Sequence, residues 1–165
     1  MKALLDSCSV INLVNGGALE MVCALEGIEW WLPPVVVDES GPSCAAAMLD
    51  LQQRGLIHFL DDDEVNAERF LALIDAHRLG AGETECITIA VEAEYHICCD
   101  DRRARQVAAD LIGPDRVFGT IRVLRWCVEQ RLIACDEAKR LLRSMREQGG
   151  FLPDTPRTFF CRETD

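Results

Sequence analysis

Short apolar stretches that close on an acid recur along this chain, and segments of helical period lie between them. Lys2-Ala3-Leu4-Leu5 ends at Asp6, and Tyr95 to Cys99 ends at Asp100-Asp101. Glu29 to Leu32, Leu56 to Leu60 and Arg116 to Phe118 read as further strands. Helices are expected from Ser9 as a cap, from Val35 to Glu39 behind Pro33-Pro34, and from Ser43 to Arg54 with Gly55 as its stop. The acid run Asp61-Asp62-Asp63-Glu64 suits the start of another, running to Arg78. Glu83 to Glu94, Arg102 to Leu111, Thr120 to Gln130 and Asp136 to Gln148 complete the series. Strands alternating with helices predict an α/β fold, a three-layer α/β/α arrangement around a central, mainly parallel sheet. At 165 residues the chain is one domain's length. The expected organisation is a single domain over residues 1–152, with residues 153–165 a tail packing on it or extending from it.

In an open parallel sheet, ligands bind beyond the carboxyl ends of the strands. Asp6, Asp100 and Asp101 stand at such ends. Glu39 and Glu83 lie in early turns of helices that follow strands or loops on the same edge. Glu83 also shares a helix face with Cys86, Ile87, Ala90 and Val91, an unusual place for a carboxylate. Taken singly, each acid also suits a turn or a helix cap. Gathered at one mouth, like charges raise one another's pKa, and hard divalent cations such as Mg²⁺ or Mn²⁺ resolve the repulsion. Such ions hold a phosphodiester and activate water.

The net charge of −11 excludes a general nucleic-acid coat. That average hides a division, since residues 1–101 carry a net −15 and residues 102–146 a net +6. The nine cysteines form no Cys-x-x-Cys pair, so they read as small buried hydrophobes in a reducing cytosol. His58, His77 and His96 are isolated. The early Asp6 interrupts the apolar core a signal peptide needs, and no apolar run is long enough to span a membrane, so a cytoplasmic protein without a membrane partner is expected. Trp30 and Trp31 face opposite sides of a strand. One of them, with the Leu13–Leu25 region, is expected to form an apolar patch for a homodimer or a small partner.

Leu4-Leu5-Asp6-Ser7-Cys8-Ser9-Val10-Ile11 resembles the strand-and-turn signature of PIN domains. Leu32-Pro33-Pro34-Val35-Val36-Val37-Asp38-Glu39 is similar to the second acidic segment of that family. Gly80-Ala81-Gly82-Glu83-Thr84-Glu85-Cys86-Ile87 resembles a stretch of one PIN-like branch. Asp100-Asp101-Arg102-Arg103-Ala104-Arg105 and Gly119-Thr120 resemble two more. The resemblance implies a Mg²⁺- or Mn²⁺-dependent endoribonuclease, like the toxin half of a VapBC-type toxin–antitoxin pair, with a small antitoxin as partner. It implies Asp6, Glu39, Glu83 and Asp101 as catalytic acids. Asp6, Asp101, Asp100 and Glu83 are the expected metal ligands, with Asp100 and Asp101 left as alternatives for the inward position. Arg102, Arg103, Arg105, Ser7 and Ser9 are the expected RNA contacts. The alternative is a PIN-like module that binds protein or RNA without catalysis. A haloacid-dehalogenase-type enzyme fits less well, because Asp6-Ser7-Cys8 lacks the second acid of an Asp-x-Asp.

Overall fold

The computed structural model describes residues 1–61 and 65–161. In chain order the elements are β1 (Lys2–Leu5), α1 (Ser7–Asn15), α2 (Leu19–Cys23), β2 (Glu29–Leu32), α3 (Pro34–Glu39), α4 (Pro42–Gln53), β3 (Ile57–Phe59) and α5 (Ala67–His77). They continue as α6 (Ala81–Glu92), β4 (His96–Cys98), α7 (Arg102–Ile112), β5 (Val117–Phe118), α8 (Thr120–Glu129), α9 (Cys135–Glu147) and α10 (Arg157–Phe160). All strand pairs are parallel, in the order β3-β2-β1-β4-β5. The expected three-layer α/β/α architecture is therefore present. Helices α3, α5, α6 and α7 pack with one another, and α1, α2, α4, α8 and α9 form the other packed group.

Strand β1 is the hinge of this order. The chain moves outward from it through β2 and β3, then returns to its other side with β4. A crevice opens at such a reversal, beyond the carboxyl ends of the two strands. Backbone bonds carry the pairing one step past the strands, from Asp6 N to the Cys98 carbonyl (3.1 Å) and from Cys99 N to the Phe118 carbonyl (2.8 Å). Asp6 and the Asp100-Asp101 pair are thereby fixed side by side.

The two tryptophans do face opposite ways. Trp30 is fully buried, donates its indole N–H to the Val22 carbonyl (2.9 Å) and meets Phe118 edge-on. Trp31 packs on His58 and Tyr95, with the Lys2 ammonium 5.1 Å from its ring centre. The expected apolar patch is absent, because Leu13, Leu19 and Leu25 are all buried beneath neighbouring helices. Large apolar side chains that do reach solvent, Met1, Leu49, Leu71, Leu111, Leu132 and Phe151, are scattered along the chain, three of them on three different helices.

Other expectations shift for local reasons. The first helix is capped by Asp6 rather than Ser9, since the Asp6 carboxylate accepts the Ser9 amide at 2.7 Å. Helix α5 begins at Ala67 behind an Asn66 cap, not in the acid run, of which Asp62, Asp63 and Glu64 lie outside the described residues. Helix α6 is buried nearly all round from Gly82 to Ala90, because α3, α5 and α7 surround it. Seven cysteines are free, and among these Cys8 is exposed. Cys135 and Cys161 form a disulfide that ties α10 to the first residue of α9, against the expectation of nine free thiols. Phe160 and Cys161 are buried. Among the described residues, no helix is long and apolar enough to cross a membrane.

Candidate metal centre

Asp6 is the innermost acid of the crevice. It has no exposed surface, one carboxylate oxygen is held by the Ser9 amide, and the other meets no N–H or O–H donor among the described residues. The Cys99 thiol lies between this carboxyl and the Asp101 carbonyl, 3.8 Å from the latter, and offers Asp6 only the weak donor of a sulfur. Burial pushes the Asp6 pKa up from 3.8 to about 6; Cys99 and Ser9 oppose the rise and the Asp100 charge adds to it. An orphaned, buried carboxylate oxygen is costly unless a cation or a proton meets it.

Glu83 comes from the first turn of α6. Its carboxylate reaches back to the Gly80 amide (3.0 Å), closing a capping interaction that aims the side chain along the crevice edge. Partial burial raises its pKa, Gly80 opposes the rise, and the charges of Asp101 and Glu39 add to it. Glu39 ends α3 and is held between the Ser7 hydroxyl (3.0 Å) and the Gly82 amide (3.3 Å). A methyl on Gly82 would stand 2.5 Å from Glu39 Oε2, so only glycine admits the carboxylate there.

Asp100 and Asp101 have distinct tasks. Asp100 accepts from the Thr120 amide (2.8 Å), the Thr120 hydroxyl (2.6 Å) and the Asn12 amide group (2.8 Å). Asp101 caps α7 through the Ala104 amide (2.8 Å) and is otherwise exposed. Both line the groove that opens beside Cys8.

Cys8 is the residue sequence reasoning passed over. Its Sγ, one Asp6 oxygen and one Glu83 oxygen all lie within 4.8 Å of one another. Burial and the surrounding charges of Asp6, Glu83, Asp100 and Asp101 push its thiol pKa up to about 12. The clue available was its place one residue inside the helix that Asp6 opens.

A groove of about 1150 Å³ leads away from this mouth, with Cys8, Asp100 and Asp101 at its head. Arg102 and Arg105 of α7 and Arg143 and Arg146 of α9 line it, and it runs to Phe151, whose side chain is 100% exposed. Of the expected RNA contacts, Arg102 and Arg105 are here. Arg103 instead donates to the His77 carbonyl (2.7 Å). Ser7 is spent on Glu39, and Ser9 is fully buried with its hydroxyl given to the Cys98 carbonyl (3.3 Å), so neither hydroxyl is offered to a ligand in the groove. Arg143 and Arg146 belong to the basic stretch 102–146, but no sequence signal placed them, or Phe151, beside the acids, since they arrive from a helix and a strap far along the chain.

The donor set suits a divalent cation: several carboxylates share one mouth, their charges oppose one another, and one buried oxygen lacks a partner. A family model describing a PIN domain matches residues 2–164. PIN domains are a nuclease-type fold, and PIN nucleases typically use divalent metals. No curated protein and no solved structure matches the chain. The all-parallel sheet, the acids gathered where its order reverses and a match spanning nearly every residue agree: this chain belongs to the PIN domain family.

Proposed function

We propose that the protein is a Mg²⁺- or Mn²⁺-dependent endoribonuclease, the toxin of a type II toxin–antitoxin pair. The observation that carries this reading is the orphaned, buried Asp6 oxygen, in a carboxylate that stands beside Cys8 at the head of an arginine-lined groove. Asp6, Glu83 and Asp101 hold the cation, with Asp100 the adjacent ligand candidate, and Glu39 completes the acid ring from the position Ser7 and Gly82 give it. A bound divalent ion supplies a grip on the scissile phosphate and an attacking water of lowered pKa. Arg102, Arg105, Arg143 and Arg146 neutralise backbone phosphates beside the acids, and Phe151 offers a face on which a base stacks. The same groove is the surface a small antitoxin would cover, in a cytoplasmic protein that pairs as a homodimer through a surface other than the buried Leu13–Leu25 region.

The test is cleavage of a mixed single-stranded RNA pool by the purified chain. Cleavage is expected with Mg²⁺ or Mn²⁺ and none with EDTA. RNA binding without cleavage under any metal would replace the enzyme with a binding module. Asp101→Asn is expected to reduce cleavage with an unchanged melting temperature. Asp100→Asn should instead lower the melting temperature, because an amide cannot accept from Thr120 and Asn12 as the carboxylate does. Full activity in Asp101→Asn would move the ligand to Asp100.

Arg143→Ala and Arg146→Ala are each expected to weaken binding to any RNA sequence alike. Each should flatten the slope of log affinity against log salt by about 0.7, the contribution of one phosphate contact on a single strand. Filter binding above physiological salt measures this, and unchanged slopes would remove α9 from the RNA path.

A further inference from the structure

The acid mouth contains sulfur. Cys8 is the second residue of α1, and Asp6 is the cap of that helix, so the backbone of one helical turn sets where both side chains stand. Cys8 Sγ lies within 4.8 Å of an oxygen of Asp6 and of an oxygen of Glu83, and those two oxygens lie within the same distance of each other. Independently of the thiol, Asp6 is wholly buried with one oxygen that no N–H or O–H among the described residues satisfies, while its other oxygen is pinned by the Ser9 amide. The carboxylate therefore cannot turn away from the mouth without losing its cap bond.

Three donors at such separations can close on one ion, and their kinds select which. Oxygen donors alone suit Mg²⁺ or Mn²⁺, whereas a thiolate among them favours softer ions. One sulfur, two carboxylates and a water make the four-coordinate set that Zn²⁺ adopts, with an open position. We propose that Cys8 is itself a ligand of this centre, so that the site takes a borderline divalent ion, Zn²⁺ or Co²⁺, through one thiolate and the carboxylates of Asp6 and Glu83. On binding, the S–H bond is replaced by a sulfur–metal bond and the proton leaves to solvent. This inference rests on the metal-centre reading and adds a ligand and an ion class to it.

Cobalt reports the difference directly. The full chain, metal-free and with its Cys135–Cys161 disulfide intact, is titrated with Co²⁺ and followed by near-ultraviolet absorbance and calorimetry. A sulfur-to-cobalt charge-transfer band is expected in the native protein and none in Cys8→Ser. The variant should still bind Co²⁺, with affinity lower by about tenfold or more. Zn²⁺ should also slow alkylation of Cys8 by iodoacetamide about tenfold, read by peptide mass, because Cys8 is the exposed one among the free cysteines. Co²⁺ binding without the band, or a band that survives in Cys8→Ser, overturns Cys8 as a ligand and leaves an oxygen-only centre. Failure of both Co²⁺ and Mn²⁺ to bind overturns the metal-centre reading itself.

Discussion

Asp6→Asn should yield a protein that is harder to unfold without metal and that no longer cleaves RNA. The carboxyl is held at about 6 against an ordinary 3.8, so the folded chain keeps its proton more tightly than the unfolded chain does. For a raised acid, the stabilising contribution is full at low pH and is lost as pH climbs through that interval. The loss comes to about 3 kcal/mol by pH 7. Asparagine still accepts the Ser9 amide as a helix cap but carries no charge to bury. Urea melts in EDTA should therefore show the variant more stable by up to about 3 kcal/mol at pH 7.5 and nearly equal to the native protein at pH 4. Cleavage should fall by about 10²-fold or more, since the proposed centre would lose one ligand charge and a catalytic metal supplies several kcal/mol of transition-state stabilisation. Saturating Mn²⁺ should raise the native melting temperature and leave that of the variant almost unmoved. A variant less stable than the native protein at pH 7.5 would show that Asp6 is a structural cap first.

Reducing the Cys135–Cys161 disulfide is expected to cost about 3 kcal/mol, because the cross-link closes a loop of 26 residues in the unfolded chain. For a chain of this size that is a fall in melting temperature on the order of 10 °C. Cys135→Ser should reproduce the fall, and reductant should then have no further effect. Denatured without reductant, the native protein should present seven reactive thiols of its nine. Nine thiols and a melt indifferent to reductant would refute the cross-link. The domain should stay folded throughout, because Phe160 remains buried and the Arg125 guanidinium still donates to the Phe159 carbonyl. The strap between the two cysteines carries Phe151, Leu152 and Pro153 of the groove, so the reduced protein should also bind RNA less tightly.

What could be read before any coordinates were known followed from short-range physics. Apolar runs ending in acids mark strand ends, and a parallel sheet sends those ends to one edge. This is why Asp6, Glu39, Glu83, Asp100 and Asp101 were identifiable as a set. Their division of labour was not. Whether Asp100 or Asp101 is anchored depends on Thr120 and Asn12, which reach Asp100 from α8 and α1. Nothing in the sequence marks Glu85, which is buried and accepts the Val35 amide at the start of α3 (2.9 Å). The helix cap fell to Asp6 because an acid at the strand end reaches the free amides before Ser9 can. The disulfide and the groove wall of Arg143, Arg146 and Phe151 depend on where α9 and its strap come to lie, which hydrophobic period does not encode.

The groove is a seam where four arginines gather beside Asp100, Asp101 and Glu147, in a body whose net charge is −11. Distance therefore decides which sign an approaching polyanion meets. At physiological ionic strength a charge is felt over about 8 Å, and in dilute buffer, near 0.01 M, over about 30 Å. A strand far from the surface meets the repulsion of the whole molecule, and only one already at the seam meets the arginines. On the proposed function, such a protein would gather RNA slowly and leave its remaining faces clear of it. Its selectivity would then begin with the angle of encounter, before any base is touched.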